Sequence, residues 1–243
     1  MSTTPKSTIK SVLFLAYPNV GEQDMLTPWE MFRSLAWTMS QQGERLDVTL
    51  GSFEGGTITT HMGANIASER TIRPTDRFDL VYVPGGIGAG EASINDTVVD
   101  FVRAHHDEGR WVAANCAALG VLYRSGVLDG LEVTAPATVA RRLSTLGVQI
   151  ASPRRSWKID PEAHVFTAGG AASVHPSTIA LVWHLFGDRR AREAAAMWDT
   201  LPLHGESLFS LVGPRLSDDA AIAGALQDQY EMMLVPDRPA AVV

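Results

Sequence analysis

The amino-acid sequence predicts an α/β fold with a mostly parallel sheet and helices on both of its faces. Short apolar runs alternate along the chain with longer stretches of helical periodicity, which is typical of βαβ units. The apolar runs are nearly continuous, as expected of strands that are covered on both faces. Hydrophobic residues make up 45% of the 243 residues and charged residues 19%, so the chain can bury a substantial core.

Five strands are predicted, over residues 9–16, 46–53, 78–83, 111–115 and 164–167. The last three run into segments of small residues, namely Pro84-Gly85-Gly86, Cys116 with the alanines around it, and Ala168-Gly169-Gly170. The carboxyl ends of parallel strands share one edge of the sheet, and ligands bind at that edge in α/β folds. The sequence therefore predicts that these three segments converge on a ligand site.

The first helix has the clearest start signal. Thr27 is predicted as its N-cap, Pro28 as its first helical residue and Glu30 as the partner in a capping box, with Gly43 ending it after residue 42. Further helices are predicted over 95–108, 117–125, 177–186, 189–200 and 217–233, and the tail after them is expected to be frayed. We expect one domain over residues 1–243, with a core at about 9–200 and a C-terminal helix and tail over 201–243.

Charge and composition exclude several classes of partner. The net charge of −7 argues against nonspecific binding of nucleic acid or an anionic membrane, because both need a basic surface. The chain starts without the apolar core of a signal peptide and has no run of about 20 apolar residues. A single cysteine fits a reducing compartment. We expect a soluble cytoplasmic protein.

Cys116 is the only cysteine in the sequence, and it lies where a predicted strand meets a predicted helix. Such a turn forces its residue into an unfavourable backbone conformation and needs small neighbours, which Ala113, Ala114, Ala117 and Gly120 supply. The pattern is analogous to a nucleophile elbow, and a helix N-terminus favours a thiolate. The alternative is a small residue that fills the core, and the turn pattern alone leaves both open.

Four stretches together resemble the ThiJ/PfpI superfamily, whose members are class I glutamine amidotransferase-like. They are "YPNVGEQDMLTPWE", "DLVYVPGGIGAGE", "VAANCAALGVL" and "VFTAGGAASVHPSTIALVWHLFG", and the resemblance covers about residues 9–200. The first stretch is most similar to the isonitrile hydratase branch. The resemblance implies a flavodoxin-like three-layer sandwich with a nucleophile elbow, a homodimer, a small-molecule substrate, and neither cofactor nor metal.

The resemblance also assigns roles to individual residues. It implies that Cys116 is the nucleophile and that Asp24 is its acid/base, with a pKa raised by burial. Glu22 is the competing carboxylate. The backbone N–H groups of Gly86 and Ala117 would form an oxyanion hole. The residues expected to bind substrate are Gly85, Ile87, Pro28 and Gly170.

This sequence departs from the relatives at two places. Ala117 stands where peptidase-like members have histidine and where isonitrile hydratases typically have threonine. Val174-His175-Pro176 stands where relatives often read Gly-Ile-Asp. His175 either supplies proton transfer in the pocket or caps a helix that begins near Ser177, and both interpretations stay open. These two departures suggest a variant substrate or reaction.

We expect a cofactor-independent, cysteine-dependent lyase or hydratase of a small electrophile, with conversion of an isonitrile to an N-substituted formamide as the nearest model. One alternative is a noncatalytic ligand-sensing domain related to AraC-type regulators, and another is glyoxalase-like handling of aldehydes. "GGIGAGE" lacks the third glycine of a dinucleotide-binding motif, because Glu91 or Ser93 stands in its place. The histidines are scattered without metal-ligand spacing, so no metal site is predicted.

Overall fold

The computed structural model describes residues 9–198, 224, 228 and 231–237. The strands are β1 (Ser11–Leu15), β2 (Asp47–Ser52), β3 (Thr57–Thr59), β4 (Asn65–Ala67), β5 (Arg70–Thr71), β6 (Leu80–Val83), β7 (Trp111–Asn115), β8 (Glu132–Val133), β9 (Gln149–Ile150), β10 (Trp157–Asp160) and β11 (Val165–Ala168). The helices are α1 (Glu22–Ser40), α2 (Ala89–Ile94), α3 (Asp96–Asp107), α4 (Leu119–Arg124), α5 (Ala137–Thr145), α6 (Val174–Phe186) and α7 (Asp188–Met197). Single 3₁₀ turns, Cys116–Ala118 and Ala171–Ser173, precede α4 and α6.

A seven-stranded sheet with the order β10-β11-β7-β6-β1-β2-β5 forms the centre of the fold. Every neighbouring pair is parallel except β10 and β11. The helices form two groups, since α1 packs with α6 and α7, whereas α2, α3 and α4 pack with one another. The five predicted strands are β1, β2, β6, β7 and β11, so the predicted α/β fold class is confirmed.

The core lies between the sheet and these helices. Strands β6, β7 and β11 are buried along their whole length. On the side that faces α1, Phe14 stacks on Tyr82 with ring centroids 5.1 Å apart and meets Phe32 edge-on at 5.5 Å. Strands buried on both faces explain why the sequence shows continuous apolar runs rather than alternation. The short pairs β3–β4 and β8–β9 are too brief to leave such a pattern, and the sequence analysis missed them.

Helix α1 begins five residues before the predicted N-cap, so the prediction that Thr27 starts it is wrong. Gly21 is the N-cap, with extended backbone at φ −72° and ψ 129°, and Glu22 is the first helical residue. The Gly21 N–H donates to Gly85 O at 2.9 Å. This bond across the sheet edge outweighs the local signal, and Pro28 consequently lies inside the helix.

The other helix boundaries follow the local signals more closely. Asn95 caps α3 with its side chain, which accepts from the N–H groups of Thr97 and Val98. Gly187, at φ 86°, separates α6 from α7 as predicted. Helix α6 begins at Val174 rather than near Ser177. Most of the helix predicted over 217–233 lies outside the described residues. Within those residues, no helix is both long and apolar enough to cross a bilayer.

The segment 231–237 is docked on the domain, so the expected frayed tail is wrong for its first residues. Leu234 and Val235 are buried. The segment lies against two glycines, because a Cβ at Gly90 would be 1.7 Å from Met233 O and one at Gly120 would be 2.8 Å from Leu234 O. Ion pairs between Arg141 and Glu231 and between Arg142 and Asp237 attach the segment to α5. Gly90 on α2 and Gly120 on α4 thus leave the space in which this segment packs.

Shortening the Val235 side chain tests whether this docked segment contributes to stability. Val235 is fully buried, so Val235→Ala should lower the free energy of unfolding by about 2 kcal/mol through lost burial and a residual cavity. Met232→Ala is the matched control, since Met232 is 51% exposed and lies in the same segment. Urea unfolding measures both variants. Equal stabilities would show that the segment does not contribute to folding.

Candidate functional site

Cys116 lies on a strained turn at the end of β7. Its φ is 51°, in the left-handed region that a residue with a side chain adopts at a cost of about 1–3 kcal/mol. Its N–H donates to Gly169 O at 2.9 Å, which ties the turn to the segment after β11. Ala117 and Ala118, which follow the turn, are buried. The backbone is therefore that of the predicted elbow, and Cys116 keeps part of its surface exposed.

The loops after β6 and β1 pack directly against this turn. A Cβ on Gly85 would lie 2.4 Å from Cys116 Cβ, so no side chain fits at that position. Gly86 has φ 118°, and a Cβ there would lie 2.1 Å from Gly21 N. Glycine is required at both positions for the backbones to approach. Three segments thus meet at the carboxyl edge of the sheet.

The Cys116 sulfur is enclosed by backbone N–H groups and one carboxyl group. The N–H groups of Ala117 and Gly86 both interact with the sulfur and lower the pKa of the thiol. The Asp24 carboxyl faces the same thiol and interacts with it. The residues predicted as nucleophile, acid/base and backbone anion donors are therefore brought together around one atom.

Asp24 is a buried carboxyl group, with only 6% of its surface exposed. Burial raises its pKa to about 6, and the interaction with Cys116 opposes that rise. Its Oδ1 atom is buried and has no hydrogen-bond partner among the described residues. Such a group can exchange a proton near neutral pH.

The N–H groups at this turn favour a Cys116 thiolate as expected, but burial and the Asp24 charge outweigh them. Burial raises the pKa of the thiol, the Asp24 carboxylate raises it further, and the two N–H groups do not compensate. The helical segment after the turn is also short, with three 3₁₀ residues and six residues of α4. Cys116 and Asp24 therefore titrate as a pair that carries one negative charge and one proton at neutral pH.

The geometry separates the two candidate carboxylates. Glu22 Oε1 accepts from the Thr60 hydroxyl and, at 2.8 Å, from the Met62 N–H, so it ties α1 to the β3–β4 hairpin. Asp24 lies half a turn further along α1 and faces the sulfur instead. Glu22 is therefore a structural residue, and Asp24 is the carboxylate of the site.

Two buried tyrosines lie close to the pair, and the sequence analysis missed both. The Tyr17 hydroxyl donates to Pro84 O, whereas the Tyr82 hydroxyl is buried without a hydrogen-bond partner in the described part of the chain. Burial raises the pKa of each phenol, and the negative charge of the nearby Asp24–Cys116 pair raises it further. The available signal was a phenol inside the otherwise apolar run "LVYV".

The remaining predicted residues lie at various depths around the turn. Pro28 is buried within α1, whereas Ile87 and Gly170 are half-buried. His175 is exposed in the first turn of α6, with its ring centroid 6.1 Å from that of Trp198. Ser173 is the N-cap of α6, so His175 is not the cap. Proton transfer by His175 and substrate binding by Gly85, Ile87, Pro28 and Gly170 stay predictions.

The other features of the described part of the surface do not form a second site of this kind. A cleft of about 480 Å³ lies at the amino ends of β1 and β2, lined in part by Arg33, Trp37 and Arg77. Arg33 and Arg77 are paired with Glu69 and Glu108, so their charges are already neutralised. Among the described residues, no cluster of three or more metal-binding side chains occurs.

Comparison with known proteins finds relatives of similar sequence and a solved structure of similar fold. Isonitrile hydratase from Pseudomonas putida is 26% identical over 174 residues, which are 72% of this chain and 71% of that protein. Protein dj-1beta from Drosophila melanogaster is 23% identical over 190 residues, 76% of this chain and 95% of that protein. The crystal structure of a ThiJ/PfpI family protein from Pseudomonas syringae superposes with a TM-score of 0.72 at 17% identity, covering 96% of this chain and 94% of that one. The family model of DJ-1/PfpI matches residues 10–172, and this chain belongs to the DJ-1/PfpI family.

Proposed function

We propose that this protein is a cofactor-independent, cysteine-dependent hydratase of small electrophiles, with an isonitrile as the model substrate and an N-substituted formamide as the product. The observation that carries the proposal is the Cys116 sulfur, which meets the Asp24 carboxyl and the N–H groups of Gly86 and Ala117. The similarity to an isonitrile hydratase supports the choice of substrate class.

The first step joins the sulfur to the terminal carbon of the isonitrile. Asp24, as a carboxylate, accepts the thiol proton while the S–C bond forms. It then delivers that proton to the same carbon, which gives a thioimidate, R–N=CH–S–Cys116. Because burial holds the pKa of Asp24 at about 6, both transfers take place close to the operating pH. The reaction needs no charge from a metal or a cofactor.

The second step adds water and releases the thiol. Asp24 removes a proton from water, whose oxygen bonds to the thioimidate carbon, and delivers that proton to the substrate nitrogen. The C–S bond then breaks while the hydroxyl proton of the adduct passes to Asp24, and the product is R–NH–CHO. The N–H groups of Gly86 and Ala117 stabilise the departing sulfur while it is negatively charged. A proton from Asp24 restores the thiol.

Removing the sulfur should abolish conversion. Cys116→Ala should lower isonitrile turnover at least about 10³-fold, because no other group in the proposed mechanism forms the covalent intermediate. Formamide is quantified by mass spectrometry, and circular dichroism checks the fold. A panel of isonitriles, aldehydes and ketones then identifies the substrate class from adducts on the wild type that Cys116→Ala lacks. Wild-type turnover in this variant would end the proposal.

Replacing the carboxyl group should remove the pH dependence as well as the rate. Asp24→Asn should lower kcat/KM by about 10²- to 10⁴-fold, because the amide cannot carry the proton. Wild-type kcat/KM should rise with a midpoint near pH 6, where Asp24 titrates. Initial rates between pH 4.5 and pH 8.5 test both statements. A variant that kept the wild-type profile would contradict this role.

The same substitution should increase stability at neutral pH. The folded-state pKa of Asp24 lies near 6, above its unfolded value of 3.8, so the folded protein binds the proton more tightly. That stabilisation is complete below about pH 4 and is lost as the pH rises through 6. Asp24→Asn should thus exceed the wild type by up to about 3 kcal/mol at pH 7.5 but not at pH 4. Urea unfolding at both pH values measures the difference.

Glu22→Gln is the matched control for this measurement, and its effect should have the opposite sign. Burial alone would raise the pKa of Glu22, but hydrogen bonds from Thr60 and from the Met62 N–H outweigh it and lower the pKa. A lowered carboxyl pKa contributes stability above the unfolded value and loses it as the pH falls. Glu22→Gln should therefore be less stable than the wild type at pH 7.5. A gain in both variants would contradict the assignment of the two carboxylates.

A further inference from the structure

The Asn115 side chain bridges the two segments that contact the Cys116 sulfur. It is the last residue of β7, directly before Cys116, and it is completely buried. Its Oδ1 accepts from the Gly85 N–H at 2.8 Å, and its Nδ2 donates to Asp24 O at 3.1 Å. The amide orientation is unambiguous, because an N–H group faces one end and a carbonyl faces the other.

A proline in α1 explains why the Asp24 carbonyl is free to accept this bond. In an α-helix, the carbonyl of Asp24 would accept from the N–H of the residue four positions later. That residue is Pro28, which has no N–H. Asn115 supplies the missing donor from the neighbouring strand. Pro28 and Asn115 are therefore complementary parts of one contact.

The contact between Asn115 and Asp24 completes a closed set of hydrogen bonds around the sulfur. Gly85 donates to Asn115 and accepts from the Gly21 N–H at 2.9 Å. Gly21 is the N-cap of α1, and Asp24 lies in the first turn of that helix. Helix α1 thus connects Gly21 to Asp24, and Asp24 is in turn bonded to Asn115. The carboxyl of Asp24 and the N–H of Gly86 both project from this closed frame onto the Cys116 thiol.

We propose that Asn115 is a positioning residue, which together with Pro28 holds the Asp24 carboxyl and the Gly86 N–H on the Cys116 sulfur. This inference deepens the proposed function and rests on it for its catalytic meaning. Asn115 does not touch the reacting atoms in the proposed mechanism. It acts through the backbone of Asp24 and Gly85. The proposed reaction therefore depends on the Asn115 amide, although this amide neither forms a bond with substrate nor transfers a proton.

Alkylation of Cys116 by iodoacetamide tests the inference without any substrate. Cys116 is the only cysteine, so the rate of modification reports on this thiol alone. In the wild type, the rate should rise with a midpoint near pH 6, as the Asp24 carboxylate becomes able to accept the thiol proton. In Asn115→Ala, this rise near pH 6 should disappear, and the alkylation rate at pH 7.5 should fall at least about tenfold.

Adding Pro28→Ala to the Asn115→Ala variant provides a specific rescue. Alanine at position 28 restores an N–H that can bond to Asp24 O within the helix. The double variant should recover part of the rise in alkylation rate near pH 6. If Asn115 only supported the fold, Pro28→Ala would not restore this rise. Asn95→Ala is the control for lost stability. It removes the side-chain cap of α3 and should lower the Tm without changing the alkylation profile.

Several outcomes would overturn the inference. One is a folded Asn115→Ala variant whose alkylation rate depends on pH as in the wild type, and another is a wild type whose rate does not rise near pH 6. A double variant that does not recover this rise would also overturn it, as would a failure of both Asn115 variants to fold. The last would make Asn115 a folding determinant rather than a positioning residue. A profile that changes as expected while isonitriles are not converted would leave the inference standing and reject only the proposed reaction.

Discussion

The close approach of three backbone segments at the carboxyl edge of the sheet is the constraint on which the site depends. At Gly85 a side chain would collide with Cys116, and at Gly86 it would collide with the backbone before α1. Because these segments touch without side chains at Gly85 and Gly86, the buried Asn115 amide can bridge them and fix the sulfur, the carboxyl and the N–H groups relative to one another. Preorganisation of this kind places donors where charge develops and avoids a cost of reordering during the reaction.

Burial raises the pKa of both groups of the pair, which helps Asp24 to transfer protons but keeps Cys116 from ionising. It raises the pKa of Asp24 to about 6, where a carboxyl can both give and accept a proton at neutral pH. It also raises the pKa of Cys116, so the thiol does not ionise by itself. The carboxylate must therefore take the proton when the sulfur reacts. The nearby buried tyrosines, Tyr17 and Tyr82, stay protonated because both phenol pKa values are raised.

Local sequence signals failed where a distant contact competed with them. The capping box at Thr27 is a valid start signal, but the bond from Gly21 to Gly85 O sets an earlier start for α1. The dipole argument for Cys116 treated the helix as isolated and ignored the Asp24 charge beside it. The expected fraying of the tail depended on its place after the last predicted helix, whereas Gly90 and Gly120 leave space for it that only α2 and α4 together create.

The sequence by itself determined the five central strands, the parallel sheet, the strained turn at Cys116 and the glycines that allow close packing. These follow from periodicity and from residue size, which act over a few positions along the chain. Only the tertiary structure decided that Glu22 bonds to the β3–β4 hairpin, that the thiol stays protonated, and that Asn115 supplies the donor that Pro28 lacks. Each of these depends on burial or on a contact between residues far apart in the chain, such as the 91 positions between Asp24 and Asn115. The desolvation and hydrogen bonding that govern them arise only when the segments meet.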